Sequence, residues 1–100
     1  MSIDDWRGEI DDIDREIVRL LNARARIASK LGALKRAAGA PLCDPTREME
    51  VMKQVDEWNQ GPLDARALAR LFRRIIYESR RLEAQSAESN SPVRVEEERL

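Results

Sequence analysis

The sequence predicts an all-α chain built from one long helix and two shorter helices. Apolar residues recur every three or four positions between Ile3 and Ala38, which is the spacing of one face of a helix. Breaks rich in glycine and proline follow at 39–41 and 61–62 and divide the chain into three segments. Charged residues make up 37% of the chain and aromatic residues only 4%, a balance more typical of helical proteins than of β-sheet proteins.

The first helix is expected to begin near Asp4 or Asp5, either of which can cap it, and to run to about Ala38. Gly32 is an interior weak point of this helix. A helix of roughly 34 residues is about 50 Å long, whereas a compact chain of this size has a radius of gyration of about 13 Å. Because its own chain cannot cover such a helix, we expect a helical homodimer. The apolar stripe, predicted to be the inward face, consists of Ile3, Trp6, Ile10, Ile13, Ile17, Leu20, Ile27, Leu31, Leu34 and Ala38, and it is interrupted by Arg24.

Capping signals place the two shorter helices. Asp44 followed by Pro45 is an N-cap with proline at the first helical position, and this second helix is expected to end near Asn59. Asp64 is expected to cap the third helix.

Composition bounds the domain organisation and the class of protein. We expect one helical domain at residues 1–87, followed by an acidic tail at 88–100 that is disordered because it lacks periodicity. A net charge of −1 gives no overall basic field for nucleic acid. The absence of histidine and the single Cys43 argue against a metal site, and we expect no cofactor. Without a signal peptide or a membrane-length apolar run, the sequence indicates a soluble cytoplasmic protein.

Arg24 is the one charged residue on the apolar stripe. A guanidinium stays charged when it is buried, so it needs a partner, yet no acidic residue shares its stripe. Lys35 lies three helical turns further on, within about 20° of the same face. Two cations on one face without an acid between them indicate an anion site.

The other helices place polar residues opposite these cations. The second helix carries Arg47 and Glu48 in its first turns, and the third carries Ser79 and Glu83 on an otherwise apolar seam. A ring of polar groups inside a helical bundle is therefore predicted, and bundle cores are where such sites are usually built.

Each of these residues also has an ordinary structural interpretation. Arg24 could extend to solvent or pair with an acid of another subunit, and Lys35 could be a solvated partner of the helix dipole. Arg47 could form a surface ion pair with Glu48 or Glu50. The remaining three could be an N-cap (Asp44), a neutral helix residue (Ser79) and a solvated acid (Glu83). Their coincidence on facing stripes favours a site.

Five segments together resemble the all-helical class of chorismate mutases, over roughly residues 4–86. They are WRGEIDDID with Arg7, LLNARARIA with Arg24, LGALKRA with Lys35, DPTRE with Asp44, Arg47 and Glu48, and LFRRIIYESRRLE with Ser79 and Glu83. The resemblance implies an intertwined homodimer that converts chorismate to prephenate in phenylalanine and tyrosine biosynthesis. This pericyclic rearrangement requires no proton transfer and no covalent intermediate, so the lack of histidine is expected.

The resemblance also implies a role for each site residue. Arg24 and, from the partner subunit, Arg7 would bind the carboxylates, and Lys35 would reach the ether oxygen. The second helix would bind the ring hydroxyl through Glu48 and the backbone at Asp44, with Arg47 in support. The third would bind a carboxylate through Ser79, while Glu83 stands where some relatives carry a glutamine that donates to the ether oxygen. Lys35, Glu83 and Arg24 are thus the expected catalytic residues, and Leu31, Val51 and Ile76 are the expected apolar lining.

Three alternatives remain at this stage. One is an isochorismate pyruvate lyase of the same fold, which uses a similar set of cations. Another is a helical dimer without catalytic activity that serves as a regulatory module. A nucleic-acid binder is disfavoured because the arginines at 66–81 lack the layout of a recognition helix. Those arginines leave open a contact with a partner enzyme of the same pathway.

Overall fold

The computed structural model describes residues 1–88 and contains three helices, as predicted. These are α1 (Ile3–Ala38), α2 (Pro45–Trp58) and α3 (Ala65–Glu88). Apart from Glu88, the last residue of α3, the predicted acidic tail lies outside the described residues. None of the three helices is both long enough and apolar enough to cross a membrane.

The start of α1 differs from the expectation. Its N-cap is Ser2 rather than Asp4 or Asp5, and Asp5 is the third helical residue. The Asp5 backbone N–H donates to the Ser2 hydroxyl at 3.1 Å, and the Ser2 backbone N–H donates to the Asp5 carboxylate at 2.9 Å. This reciprocal pair is a capping box, which satisfies two amide groups that the first turn would otherwise leave unpaired.

The other helix ends follow their sequence signals. α1 ends where Gly39 adopts the left-handed conformation (φ 69°), and the Gly39 N–H donates to the Arg36 carbonyl at 3.1 Å. At the start of α2, an Asp44 carboxylate oxygen accepts from the Arg47 backbone N–H at 3.0 Å. Asp64 caps α3 by accepting from the Ala67 backbone N–H at 2.7 Å.

α3 is the helix that holds the chain together. It packs against both α1 and α2, while the backbones of α1 and α2 stay apart within the described residues. Among the side chains of residues 1–86, the buried apolar ones are Ala28 on α1 and Val55 on α2. Gly32 of α1 is buried as well. The contact of α1 with α3 therefore includes small residues that let the two backbones come close.

The apolar stripe of α1 is not the face that is buried within the chain. All its apolar members are exposed, with Ile13 at 58% and Trp6 at 56%. The single chain thus leaves the stripe uncovered, because α3 packs beside it at Gly32. The expectation that a second subunit covers this face stays a prediction. The radius of gyration is 17.3 Å, well above the about 13 Å of a compact chain of this length. One chain alone leaves its longest apolar surface uncovered.

Candidate active site

A cavity of about 250 Å³ lies between the three helices. It is bounded by the C-terminal half of α1, the first turns of α2, the α1–α2 connection and the C-terminal half of α3. Its lining residues are Arg24, Ile27, Ala28, Leu31, Lys35, Leu42, Asp44, Arg47, Glu48, Val51, Ile76, Ser79, Arg80 and Glu83. The structure therefore brings together all the predicted site residues except Arg7.

Arg24 lines the cavity and is half-buried. Its guanidinium Nη1 donates to the Ser79 hydroxyl, which in turn donates to the Ile75 backbone carbonyl at 3.0 Å. Within residues 1–86 no carboxylate forms an ion pair with Arg24. A charged group with one neutral partner in a concave site retains hydrogen-bond donors for an anion.

Lys35 lines the same cavity, three helical turns beyond Arg24 on α1. Its ammonium donates to the Glu83 carboxylate at 2.8 Å and to the Leu42 backbone carbonyl at 3.1 Å. The two side chains are only 20% and 12% exposed, so the solvated interpretation of each is wrong. This ion pair joins α1 directly to α3.

The first turns of α2 form the rim of the cavity. Arg47 is exposed and forms an ion pair with Glu50 at 3.5 Å, as in its surface interpretation, although it also lines the cavity. Glu48 is half-buried and pairs with Arg80 of α3. Arg80 is a site residue that sequence reasoning missed, because it stands among several outward arginines on α3. Its place next to Ser79 and one turn before Glu83 was the available signal.

Apolar side chains form the remaining wall. Leu31, Val51 and Ile76 line the cavity where the sequence placed them, and Ile27 lies beside them. Arg7 is exposed near the start of α1 and does not line the cavity. It lies 17 residues before Arg24, which is about 25 Å along the helix.

The charges of the lining favour a small anion. Four cationic side chains against three acidic ones leave a formal net charge of +1. A guanidinium and an ammonium, three helical turns apart on α1, share the cavity with an apolar wall, which suits a ligand with anionic groups and a carbon skeleton. No group of His, Cys, Asp and Glu within the described residues could hold a metal ion.

Comparison with known proteins gives a consistent result. Residues 6–84 match the family model described as chorismate mutase type II. A bifunctional chorismate mutase/prephenate dehydratase of Neisseria gonorrhoeae is 46% identical over 72 residues, covering 72% of this chain and 19% of that protein. The intracellular chorismate mutase of Mycobacterium tuberculosis is 37% identical over 74 residues, covering 74% of this chain and 68% of that protein. The chain thus spans about a fifth of the length of the bifunctional relatives that it matches.

Solved structures agree with this match. The fold superposes on form II of the Thermus thermophilus chorismate mutase with a TM-score of 0.80 and 36% identity, covering 82% of this chain and 93% of that one. The Helicobacter pylori chorismate mutase in complex with prephenate gives a TM-score of 0.78 at 27% identity, covering 86% and 93% of the two chains. The three helices, the cavity between them and the family match lead to one conclusion: this chain belongs to the type II chorismate mutases.

Proposed function

We propose that the protein is a homodimeric chorismate mutase, an isomerase that converts chorismate to prephenate on the path to phenylalanine and tyrosine. The observation that carries the proposal is that Arg24 and Lys35, three helical turns apart on α1, line one cavity that also has an apolar wall. Chorismate carries two carboxylates and a carbon ring, so its chemistry complements this arrangement.

The rearrangement breaks a C–O bond and forms a C–C bond within one molecule. The reaction needs the flexible substrate to be held in a compact conformer, which the carboxylate contacts can do. Negative charge grows on the ether oxygen as the C–O bond breaks, and a nearby ammonium stabilises it. Lys35 is positioned for this role because the Glu83 carboxylate and the Leu42 carbonyl hold its side chain at the cavity.

The remaining polar groups take the roles that the family resemblance implies, which is supported by their presence in the lining of the cavity. Arg24 binds one carboxylate, with Ser79 as the hydroxyl partner that orients the guanidinium. Glu48 and the backbone at Asp44 take the ring hydroxyl, and Arg47 supports that end of the substrate; all three residues line the cavity at the start of α2. Glu83 acts at the ether oxygen through Lys35, because its carboxylate accepts a hydrogen bond from the Lys35 ammonium and so orients it.

A second subunit completes this site. With a formal charge of +1 on the lining, one additional cation would match a dianion. Arg7 of the partner subunit supplies that charge, since the Arg7 of the same chain is too far away. The exposed stripe of α1 supplies the apolar surface that a permanent dimer buries.

The proposal extends to the setting of the enzyme. Several relatives are named as bifunctional chorismate mutase/prephenate dehydratases, which supports a partner enzyme that uses prephenate. We place the protein in the cytoplasm, where its single exposed Cys43 would remain a thiol.

A continuous assay of chorismate absorbance tests this proposal. Purified protein is expected to consume chorismate and to form prephenate, and Arg24→Ala is expected to lower kcat/KM on the order of 100-fold. Arg19→Ala is the matched control, because this exposed arginine of α1 pairs with Glu16 and does not line the cavity. A wild-type protein that leaves chorismate intact, or that instead releases pyruvate from isochorismate, contradicts the proposal.

A further inference from the structure

Gly32 marks an unusually close approach of α1 and α3. A Cβ atom added to Gly32 would lie 2.4 Å from the Glu83 carbonyl oxygen and 2.7 Å from the Glu83 Cα. Both atoms belong to the backbone of α3, so no side-chain rotation can relieve the contact. Gly32 is within a helix and does not need a left-handed conformation, so its lack of a side chain is what the packing requires.

The residue that Gly32 touches is a member of the proposed site. Glu83 holds the ammonium of Lys35 at 2.8 Å, and Lys35 is three residues beyond Gly32 on α1. Carbon–oxygen contacts normally begin at about 3.3 Å, so a methyl group at position 32 would push the two backbones apart by about 1 Å. Lys35 would move with α1 and Glu83 with α3, because each is carried by its own helix.

We propose that Gly32 is a positioning residue for the reaction: it sets the distance between the Lys35 ammonium and the Glu83 carboxylate. Gly32 does not line the cavity, so it acts through the spacing of α1 and α3 rather than by contact with the substrate. The inference rests on the proposed function, because its activity readout is chorismate turnover.

Gly8 provides a matched control in the same helix. A Cβ added at Gly8 would meet nothing within 4 Å. Gly8 lies two residues from both Trp6 and Ile10, which are members of the apolar stripe. Two residues correspond to a rotation of about 200° around the helix axis, so Gly8 lies on the side opposite the stripe. Gly8→Ala therefore makes the same chemical change away from the cavity and away from the face expected to bind a second subunit.

The first test compares the two alanine variants by steady-state kinetics. Gly32→Ala is expected to lower kcat by about 10- to 100-fold with a smaller change in KM, since a misplacement of about 1 Å can cost that much. Gly8→Ala is expected to retain kcat and KM. If Gly32→Ala is too unstable to assay, the Gly8→Ala/Gly32→Ala double variant replaces it, because alanine at position 8 is expected to stabilise α1. Wild-type kcat in an assayable Gly32 variant overturns the proposal.

A double-mutant cycle with Glu83→Ala separates positioning from a general loss of structure. In the Glu83→Ala variant there is no carboxylate whose distance from Lys35 could matter. Adding Gly32→Ala to this variant is therefore expected to reduce kcat by less than about twofold relative to Glu83→Ala alone. A general structural role predicts the same loss with and without the Glu83 side chain, and that result would refute the inference.

A crystal structure of Gly32→Ala tests the inference independently of activity. The Lys35 Nζ to Glu83 Oε1 distance is expected to lengthen from 2.8 Å to beyond hydrogen-bond range. Wild-type protein without chorismate turnover would refute the proposed function, while this distance would still decide the role of Gly32. If the Lys35–Glu83 distance in Gly32→Ala is unchanged, the positioning role is refuted, even when the wild-type protein is fully active.

Discussion

At the scale of single residues, Arg24 shows how a charge can interrupt an apolar stripe. Its neighbours Leu20 and Ile27 on the stripe are exposed in the chain, whereas Arg24 is half-buried beside Ser79. A hydroxyl satisfies one donor without neutralising the guanidinium. The cationic charge of Arg24 is therefore preserved at the cavity.

Glu83 is the site residue whose hydrogen-bonding capacity is most restricted. Its carboxylate can accept the hydrogen bond from Lys35 but cannot donate to an ether oxygen, whereas the amide of a glutamine can do both. We therefore expect Glu83→Gln to retain chorismate turnover and Glu83→Ala to lower kcat/KM, measured side by side in the same assay. Equal losses in the two variants would show that hydrogen bonding by residue 83 does not contribute to the reaction.

Arg80 is expected to tune the affinity of the site. Because Arg80 lines the cavity and pairs with Glu48, Arg80→Ala reduces the formal charge of the lining from +1 to zero and leaves Glu48 without its partner. We expect KM for chorismate to rise by about 5- to 50-fold, with a smaller change in kcat. Arg81→Ala is the control, because this neighbour pairs with Glu78 outside the cavity. Equal KM values for Arg80→Ala and Arg81→Ala would show that Arg80 does not contribute to substrate binding.

At the scale of the helices, the caps show how much of the fold can be predicted from sequence. Asp44, Asp64 and Gly39 act locally, so each boundary could be predicted from a few adjacent residues. The sequence alone does not single out Ser2, because Asp4 and Asp5 shortly after it are equally good N-cap residues. Only the full capping-box motif identifies Ser2 as the cap and Asp5 as its partner. Local chemistry is thus sufficient for the helix ends when its full motif is considered.

Packing between helices is where sequence reasoning becomes insufficient. Gly32 looked like a weak point of α1, yet the structure shows the contact with α3 that requires it. Only its place next to Ser79 and one turn before Glu83 separates Arg80 from the outward arginines of α3, because helix rotation depends on contacts with α1 and α2. The polar ring was predictable because periodicity and the family resemblance both indicated it, whereas the close approach of two backbones leaves no pattern in one sequence.

The capping box of α1 predicts a specific dependence of stability on pH. The hydrogen bond from the Ser2 backbone N–H lowers the pKa of the Asp5 carboxyl below its ordinary value. A lowered pKa in the folded state means that Asp5 stabilises the fold above its unfolded pKa and loses this effect as pH falls through the folded pKa. Asp5→Asn is therefore expected to lower Tm at about pH 7, and the difference from wild type is expected to shrink as pH falls through the folded pKa of Asp5.

Asp4→Asn is the control for this measurement. It removes the same charge from the same turn without breaking the capping box. Its effect on Tm at neutral pH is expected to be smaller than that of Asp5→Asn. An equal effect would mean that the helix dipole, rather than the cap, accounts for the stabilisation.

At the scale of the whole molecule, the uncovered stripe and the position of Arg7 have one explanation. A chain with so few buried apolar side chains among its described residues does not have a core of its own, and α1 extends well beyond the part of it that borders the cavity. A second copy that covers the stripe would bring its own Arg7 toward the cavity. The fold and the active site would then both require the dimer.

Mixed dimers test this arrangement directly. When Arg7→Ala and Arg24→Ala chains are coexpressed, each heterodimer has one cavity that lacks both arginines and one that retains both, provided that Arg7 acts across the interface. Random pairing then restores about a quarter of wild-type activity, because half of the dimers are mixed and each has one complete site. Each variant alone is expected to be nearly inactive. If Arg7 instead served the cavity of its own chain, every cavity in the mixture would lack one arginine, and activity would stay at the level of the single variants.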